Sequence, residues 1–134
     1  MSNTVDIVTV PGWPRPSGYS NGAVGRGRVL HVAGQIGVEP DGSFEDDNLA
    51  DQFAQALTNV IAVVKAAGGG PGDLASMTIY VLDVDRYRRA MPLLGEIWRD
   101  LMGTHYPAVA LVGVAQLFEA FAMVEISAVA YLPS

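Results

Sequence analysis

Tyr106-Pro107-Ala108-Val109-Ala110-Leu111-Val112-Gly113-Val114-Ala115-Gln116-Leu117-Phe118-Glu119-Ala120-Phe121-Ala122-Met123-Val124-Glu125-Ile126-Ser127-Ala128-Val129-Ala130-Tyr131 reads as two apolar strands joined by a short turn near Phe118 to Phe121. A continuous run this rich in Val and Ala reads as strand buried on both faces. Strand side chains alternate, so Ala122, Val124, Ile126 and Ala128 point one way and Met123, Glu125, Ser127 and Val129 the other. Glu125 is then the only charge in its run. Burying a carboxylate is costly unless it is paired or protonated, so such a residue marks a site or a polar network. The rest of the chain is expected to lay a layer over these strands and build a pocket around Glu125.

Working upstream, Tyr87, Ala90, Met91, Leu94, Ile97, Trp98 and Leu101 form the stripe of a helix that starts at Asp83 or Asp85 and ends at Gly103. Before it, Leu74 to Leu82 alternates as a strand, with Met77, Ile79 and Val81 on one face. Gly68-Gly69-Gly70-Pro71-Gly72 stops an earlier helix. That glycine run follows a helix and is not followed by a Lys-Ser/Thr pair, so it is no phosphate-binding loop. The earlier helix carries Leu49, Phe53, Leu57, Val60, Ile61 and Val64 at helical spacing, with Asp46, Asp47 and Asn48 as candidate caps. Arg28 to Ile36 is a strand whose Ala33-Gly34 marks a bulge or a close backbone approach. Trp13-Pro14-Arg15-Pro16-Ser17-Gly18 is a loop, and Val5 to Val10 a weak edge strand.

Two helices cover one face of such a sheet. With strands apolar on both faces and no spare element, the second face calls for another subunit, so a homo-oligomer is expected.

The 134 residues fit a single domain, 1–134, with a sizeable core. A net charge of −6 argues against nucleic acid, which demands a basic footprint. There is no cysteine, which excludes disulfides, thiolate zinc sites and a catalytic thiol. No charged-then-apolar leader opens the chain, and no uninterrupted apolar run approaches membrane-span length, so a cytoplasmic protein is expected, with neither membrane nor nucleic acid as partner. His31 and His105 are isolated, and no set of ligands has metal spacing, so neither metal nor cofactor is expected. His31 reads as a core or interface histidine and His105 as a loop cap beside a pocket mouth. Arg86, Arg88 and Arg89 read as a solvated helix face beside Asp83 and Asp85.

Several short motifs, in order, resemble the Rid family, also called YjgF/UK114, over nearly the whole chain. They are Gly18-Tyr19-Ser20-Asn21-Gly22, Val32-Ala33-Gly34-Gln35-Ile36-Gly37, the helix from Gln52 through Asn59, Ala67-Gly68, Tyr80-Val81-Leu82-Asp83, Tyr106-Pro107-Ala108 and Val124-Glu125-Ile126. The resemblance implies an α+β, chorismate-mutase-like fold, with two helices on one face of a mixed sheet. It also implies a homotrimer with a small-molecule pocket at each subunit interface. The best-studied branch of that family hydrolyses imines or enamines to keto acids and ammonia. There, an arginine after Pro-Ala grips the substrate carboxylate as a two-pronged donor. This chain has Val109 in that place. The resemblance further implies a catalytic, water-holding role for Glu125, and substrate-binding positions at Tyr19, at the backbone of Gly34, at Val109 and at the backbone of Leu111.

Each of these residues also has a plainer reading. Glu125 fits a structural carboxylate paired with an interface arginine, Tyr19 a packed rim residue, and Gly34 a steric requirement of its strand. Two functions therefore stay open: an imine or enamine deaminase, which retention of Glu125 favours, and a non-catalytic metabolite-binding protein, which loss of the arginine favours. A ribonuclease or translation inhibitor is disfavoured by the acidic charge.

Overall fold

The computed structural model describes residues 3–134. Strands β1 (Val5–Val8) and β2 (Gly22–Gly25) form a small antiparallel sheet of their own. The main sheet comprises β3 (Arg28–Ile36), β4 (Leu74–Val81), β5 (Ala108–Gly113) and β6 (Val124–Leu132), in the spatial order β3-β6-β4-β5. Helices α1 (Leu49–Ala66) and α2 (Val84–Met102) pack on one of its faces, as the hydrophobic stripes require.

The two strands of the C-terminal stretch are not neighbours, contrary to the paired arrangement their sequence suggests. The unit β4–α2–β5 is a strand-helix-strand crossover, and such crossovers join parallel strands. It sets β5 parallel to β4, with Met77 opposite Val109 and Ile79 opposite Leu111. The chain then returns through residues 114–123 and inserts β6 between β3 and β4, antiparallel to both.

The helices begin where polar caps allow. The Asn48 side chain accepts a hydrogen bond from the Asp51 amide at 3.0 Å, and that of Asp83 one from Arg86 at 3.0 Å. Each satisfies an amide that the first turn would otherwise leave unpaired. α2 ends at Gly103, whose φ of 65° is left-handed backbone that favours glycine. The buried face of α1 is the expected one, Phe53, Leu57, Val60, Ile61 and Val64 among it. On α2, Tyr87, Leu94, Trp98 and Met102 are buried, whereas Met91, read as part of the stripe, is 50% exposed.

Among the described residues, no helix covers the opposite face of the sheet. Ser76, Thr78 and Tyr80 of β4, Ala108, Ala110 and Val112 of β5, and Glu125, Ser127 and Val129 of β6 point that way. The small hairpin reaches only one end: a Cβ on Gly25 would lie 2.0 Å from the Tyr131 ring, so absence of a side chain lets β2 rest on it.

Candidate functional site

β6 holds Glu125 level with Tyr80 of β4, on the uncovered face and half-buried rather than enclosed. Its carboxylate rests over β3 at Gly34. A Cβ there would lie 2.1 Å from Oε2 and 2.7 Å from Cδ of Glu125. The pairing of β3 with β6 shifts register between Val32 and Gln35, so Gly34 lies in an irregularity as well as under a close neighbour. Ala33-Gly34 had offered a bulge or a close approach, and both occur. The ion pairs among the described residues are Arg26–Asp6, Arg86–Asp47 and Arg88–Asp85, and none of them uses Glu125. Arg26 is thereby engaged elsewhere, and Arg28 sits at the far end of β3, opposite Leu132.

Tyr19 and Val109 meet in a second place. The Ser20 amide donates to the Pro107 carbonyl at 2.9 Å, the Ser20 hydroxyl donates to the Tyr106 carbonyl, and Ser20 bridges Ala108 in parallel fashion. These bonds stitch the proline-rich loop to the head of β5. They leave Tyr19 and Val109 lining a groove of about 430 Å³ with Ser76 and Thr78. Val109 also packs against the helix-side core, as its register partner Met77 does. Leu111 packs there too, opposite Ile79, and lines neither cavity, which leaves its backbone as the part available to a ligand.

Glu125 is level, across β4, with Val112, three positions along β5 from Val109. That separation is about 10 Å of strand, and Val109 faces the opposite side. Within one chain these residues therefore fall into two separate groups, Glu125 with Gly34 and Tyr19 with Val109.

The histidines also part company. His31 is exposed on β3, opposite Val129. His105 is an anchor: its Nε2 lies 2.7 Å from the Leu74 carbonyl, and its own carbonyl accepts from the Trp98 indole at 3.1 Å. A carbonyl can only accept, so Nε2 carries the proton. His105 at the same time lines a larger cavity, of about 680 Å³, between the end of β1, the proline-rich loop and the turn before β5. Arg88 pairs with Asp85, while Arg86 reaches Asp47 on the loop before α1.

Two residues that support the site escaped notice as such. Gln52, fully buried on α1, donates to the carbonyls of Glu45 at 2.9 Å and Phe121 at 3.1 Å, and accepts from the Met123 amide at 2.8 Å. Asn59 donates to the carbonyls of Ile36 at 3.0 Å and Val38 at 2.8 Å. Together they fix the approach to β6 just before Glu125 and the end of β3 just after Gly34. The available signal was a pair of amides seven residues apart on an otherwise apolar helix face.

Among the described residues no group of three or more His, Asp or Glu is placed to hold a metal ion, and no helix is long and apolar enough to cross a membrane.

Residues 14–132 match the sequence profile of the endoribonuclease L-PSP family. A 2-iminobutanoate/2-iminopropanoate deaminase from Dermatophagoides farinae is 29% identical over 83% of this chain and 84% of its own. Among solved structures, the Rid-family protein YyfB of Yersinia pestis superposes with a TM-score of 0.85 at 27% identity, covering 96% of this chain and 99% of its own. TdcF of Escherichia coli, solved with bound serine, has a TM-score of 0.70 at 30% identity over 96% and 99%.

Proposed function

Since the chain belongs to the endoribonuclease L-PSP family, the family also called Rid, we propose that it forms a homotrimer with a small-molecule pocket at each subunit boundary, where it hydrolyses an imine or enamine to a carbonyl compound and ammonia. The observation that carries this reading is the Glu125 carboxylate, seated over Gly34 on an uncovered sheet face and engaged in no ion pair among the described residues. A carboxylate so placed can accept a proton from a water as that water attacks the C=N carbon. The proton passes to nitrogen, the carbinolamine collapses, and ammonia leaves as C=O forms. A neighbouring chain against the open face would bring its Tyr19 and Val109 half-site towards this Glu125, completing the pocket. The expected location is the cytoplasm.

Val109 shapes the substrate. A valine offers no donor to a carboxylate, and a charge-assisted contact is worth about 1.5–3 kcal/mol, roughly ten- to a hundredfold in affinity. Hydrolysis of the imines of ordinary amino acids is therefore weak, and a substrate with an apolar or neutral group at that position is preferred. The same valine, packed against the core, favours the second reading, a protein that binds a metabolite without turning it over.

Ammonia release from imines generated in situ, by an amino-acid oxidase for those that keep a carboxylate and by an amine oxidase for those that lack one, separates the two. The deaminase reading expects release that Glu125→Gln abolishes while the assembly stays intact. Full activity in that variant would leave Glu125 a structural residue; no release from any imine offered, neutral-tailed ones included, would leave the binding reading.

A further inference from the structure

The larger cavity shares Tyr19, Ser20 and Asn21 with the groove at Val109 but includes neither Val109 nor Glu125, and its lining has an unusual charge balance. The chain carries 14 acidic residues against 8 lysines and arginines. Yet no Asp or Glu lines this cavity, and Arg15 does. Arg15 is the only Lys or Arg lining either cavity, and it takes part in none of the ion pairs among the described residues. A guanidinium left without an acidic neighbour in a concave site is a standing donor fork for an anion.

The walls are aromatic and rigid. Trp13 is 62% exposed and Tyr19 42% exposed, both lining the cavity from the same loop as Arg15. Prolines at 14 and 16 bracket the arginine and fix the backbone φ on either side of it. The opposite wall is equally constrained: His105 is held through its Nε2 by the Leu74 carbonyl, and the Tyr106 ring stacks on Trp98 with centroids 5.9 Å apart. A preformed site loses little freedom on binding. The volume of about 680 Å³ lies within the range that takes a small organic ligand.

We propose that this cavity is a second binding site, for a small aromatic carboxylate whose charge is held by the Arg15 guanidinium and whose ring lies between Trp13 and Tyr19. One guanidinium forms a two-pronged contact with one carboxylate. A phosphate dianion would ask for more positive charge than a single arginine supplies. The site shares Tyr19 with the groove at Val109 but includes neither Glu125 nor Val109, so its test is separate from that of the deaminase reading.

The test is calorimetric titration of the full chain with 3-phenylpropanoate and with its neutral analogue 3-phenylpropanamide, with Trp fluorescence followed in parallel. The acid is expected to bind and the amide to bind at least roughly tenfold more weakly, the difference expected of a charge-assisted pair. Arg15→Gln should weaken the acid by a similar factor and Arg15→Lys by less. Arg28→Gln, which makes the same change in net charge outside the cavity, should leave binding unchanged, as should Glu125→Gln. Trp13→Phe should remove the fluorescence response while calorimetric binding persists. Equal affinity for acid and amide, undiminished binding in Arg15→Gln, an equal loss in Arg28→Gln, or no binding of the acid at millimolar concentration would each overturn the proposal.

Discussion

Gly34 and Gly37, three residues apart at the end of β3, answer to different neighbours. A Cβ on Gly34 meets the carboxylate of Glu125, the free end of a flexible side chain. A Cβ on Gly37 meets the backbone of Gln52, 2.6 Å from its Cα and 2.7 Å from its oxygen. Gly34→Ala should therefore cost little stability, under about 1 kcal/mol, because the carboxylate swings aside, while any activity or ligand binding that depends on its position falls sharply. Gly37→Ala should cost more, about 1–3 kcal/mol, because backbone cannot step away. Urea unfolding of both variants, with activity measured on the first, checks the contrast; equal destabilisation would refute it. The sequence marked Gly34 and Glu125 separately, one by its place in a strand and the other as a lone charge. That one lies over the other is a property of register, and the register shift between Val32 and Gln35 is not written in any local pattern.

Tyr87 gives a second residue-scale prediction. Burial pushes its phenol up to about 12. An unfolded tyrosine ionises near pH 10. Between about pH 10 and 12 the unfolded chain gives up this proton while the folded chain keeps it, so stability falls as pH rises through that window and is unaffected below it. At about 1.4 kcal/mol per unit the loss approaches 3 kcal/mol. Tyr87→Phe should lack this component. The stability difference between variant and parent, measured by urea at about pH 8 and pH 11, should move in favour of the variant at the higher pH; a constant difference would rule the effect out.

At the scale of elements, α1 does more than cover the sheet. Gln52 ties its first turns to the 121–123 segment, and Asn59 ties its middle to the end of β3. Gln52→Leu keeps the volume and leaves the part-buried Glu45 and Phe121 carbonyls and the Met123 amide without that partner. Leaving a buried group unpaired costs about 1–3 kcal/mol, so a loss of about 3 kcal/mol or more over the three groups is expected, visible as a lowered urea midpoint. A loss below about 1 kcal/mol would mean that water replaces the amide. Both helices were legible because their stripes and caps are local: Asn48, Asp83 and Gly103 sit where the amphipathic runs begin and end. Strand identity was legible for the same reason. Strand order was not. Two adjacent apolar runs suggest a hairpin, and only the parallel crossover through α2 explains why β4 comes between them.

For the whole molecule, the uncovered face sets the question of assembly. Val112 is 40% exposed there, on the edge strand. Light scattering at micromolar concentration should give three times the 14.2 kDa chain mass, and Val112→Glu should shift the distribution towards monomer, because a charge buried without a partner costs several kcal/mol. A monomeric parent protein would remove the trimer and, with it, any pocket shared between chains. That helices cover only one face of the sheet was legible from their number. The separation of Glu125 from Val109 was not, since their opposed directions appear only when β5 and β6 are placed on either side of β4.

The position of β6 also bears on how the protein is made. It is the last of the sheet's strands to leave the ribosome, and it is the one that both β3 and β4 require as a partner. A chain in which β6 is not yet free to pair holds two helices and the β4–β5 pair, while β3 has no strand to join. The sheet therefore assembles in a late closing step whose contacts span much of the chain, Arg28 with Leu132 at the extreme. Loops that long are slow to close. Until that step the apolar inner faces of β3 and β4 lack their neighbour, which makes the interval between synthesis and release the one in which this protein has most to gain from a chaperone.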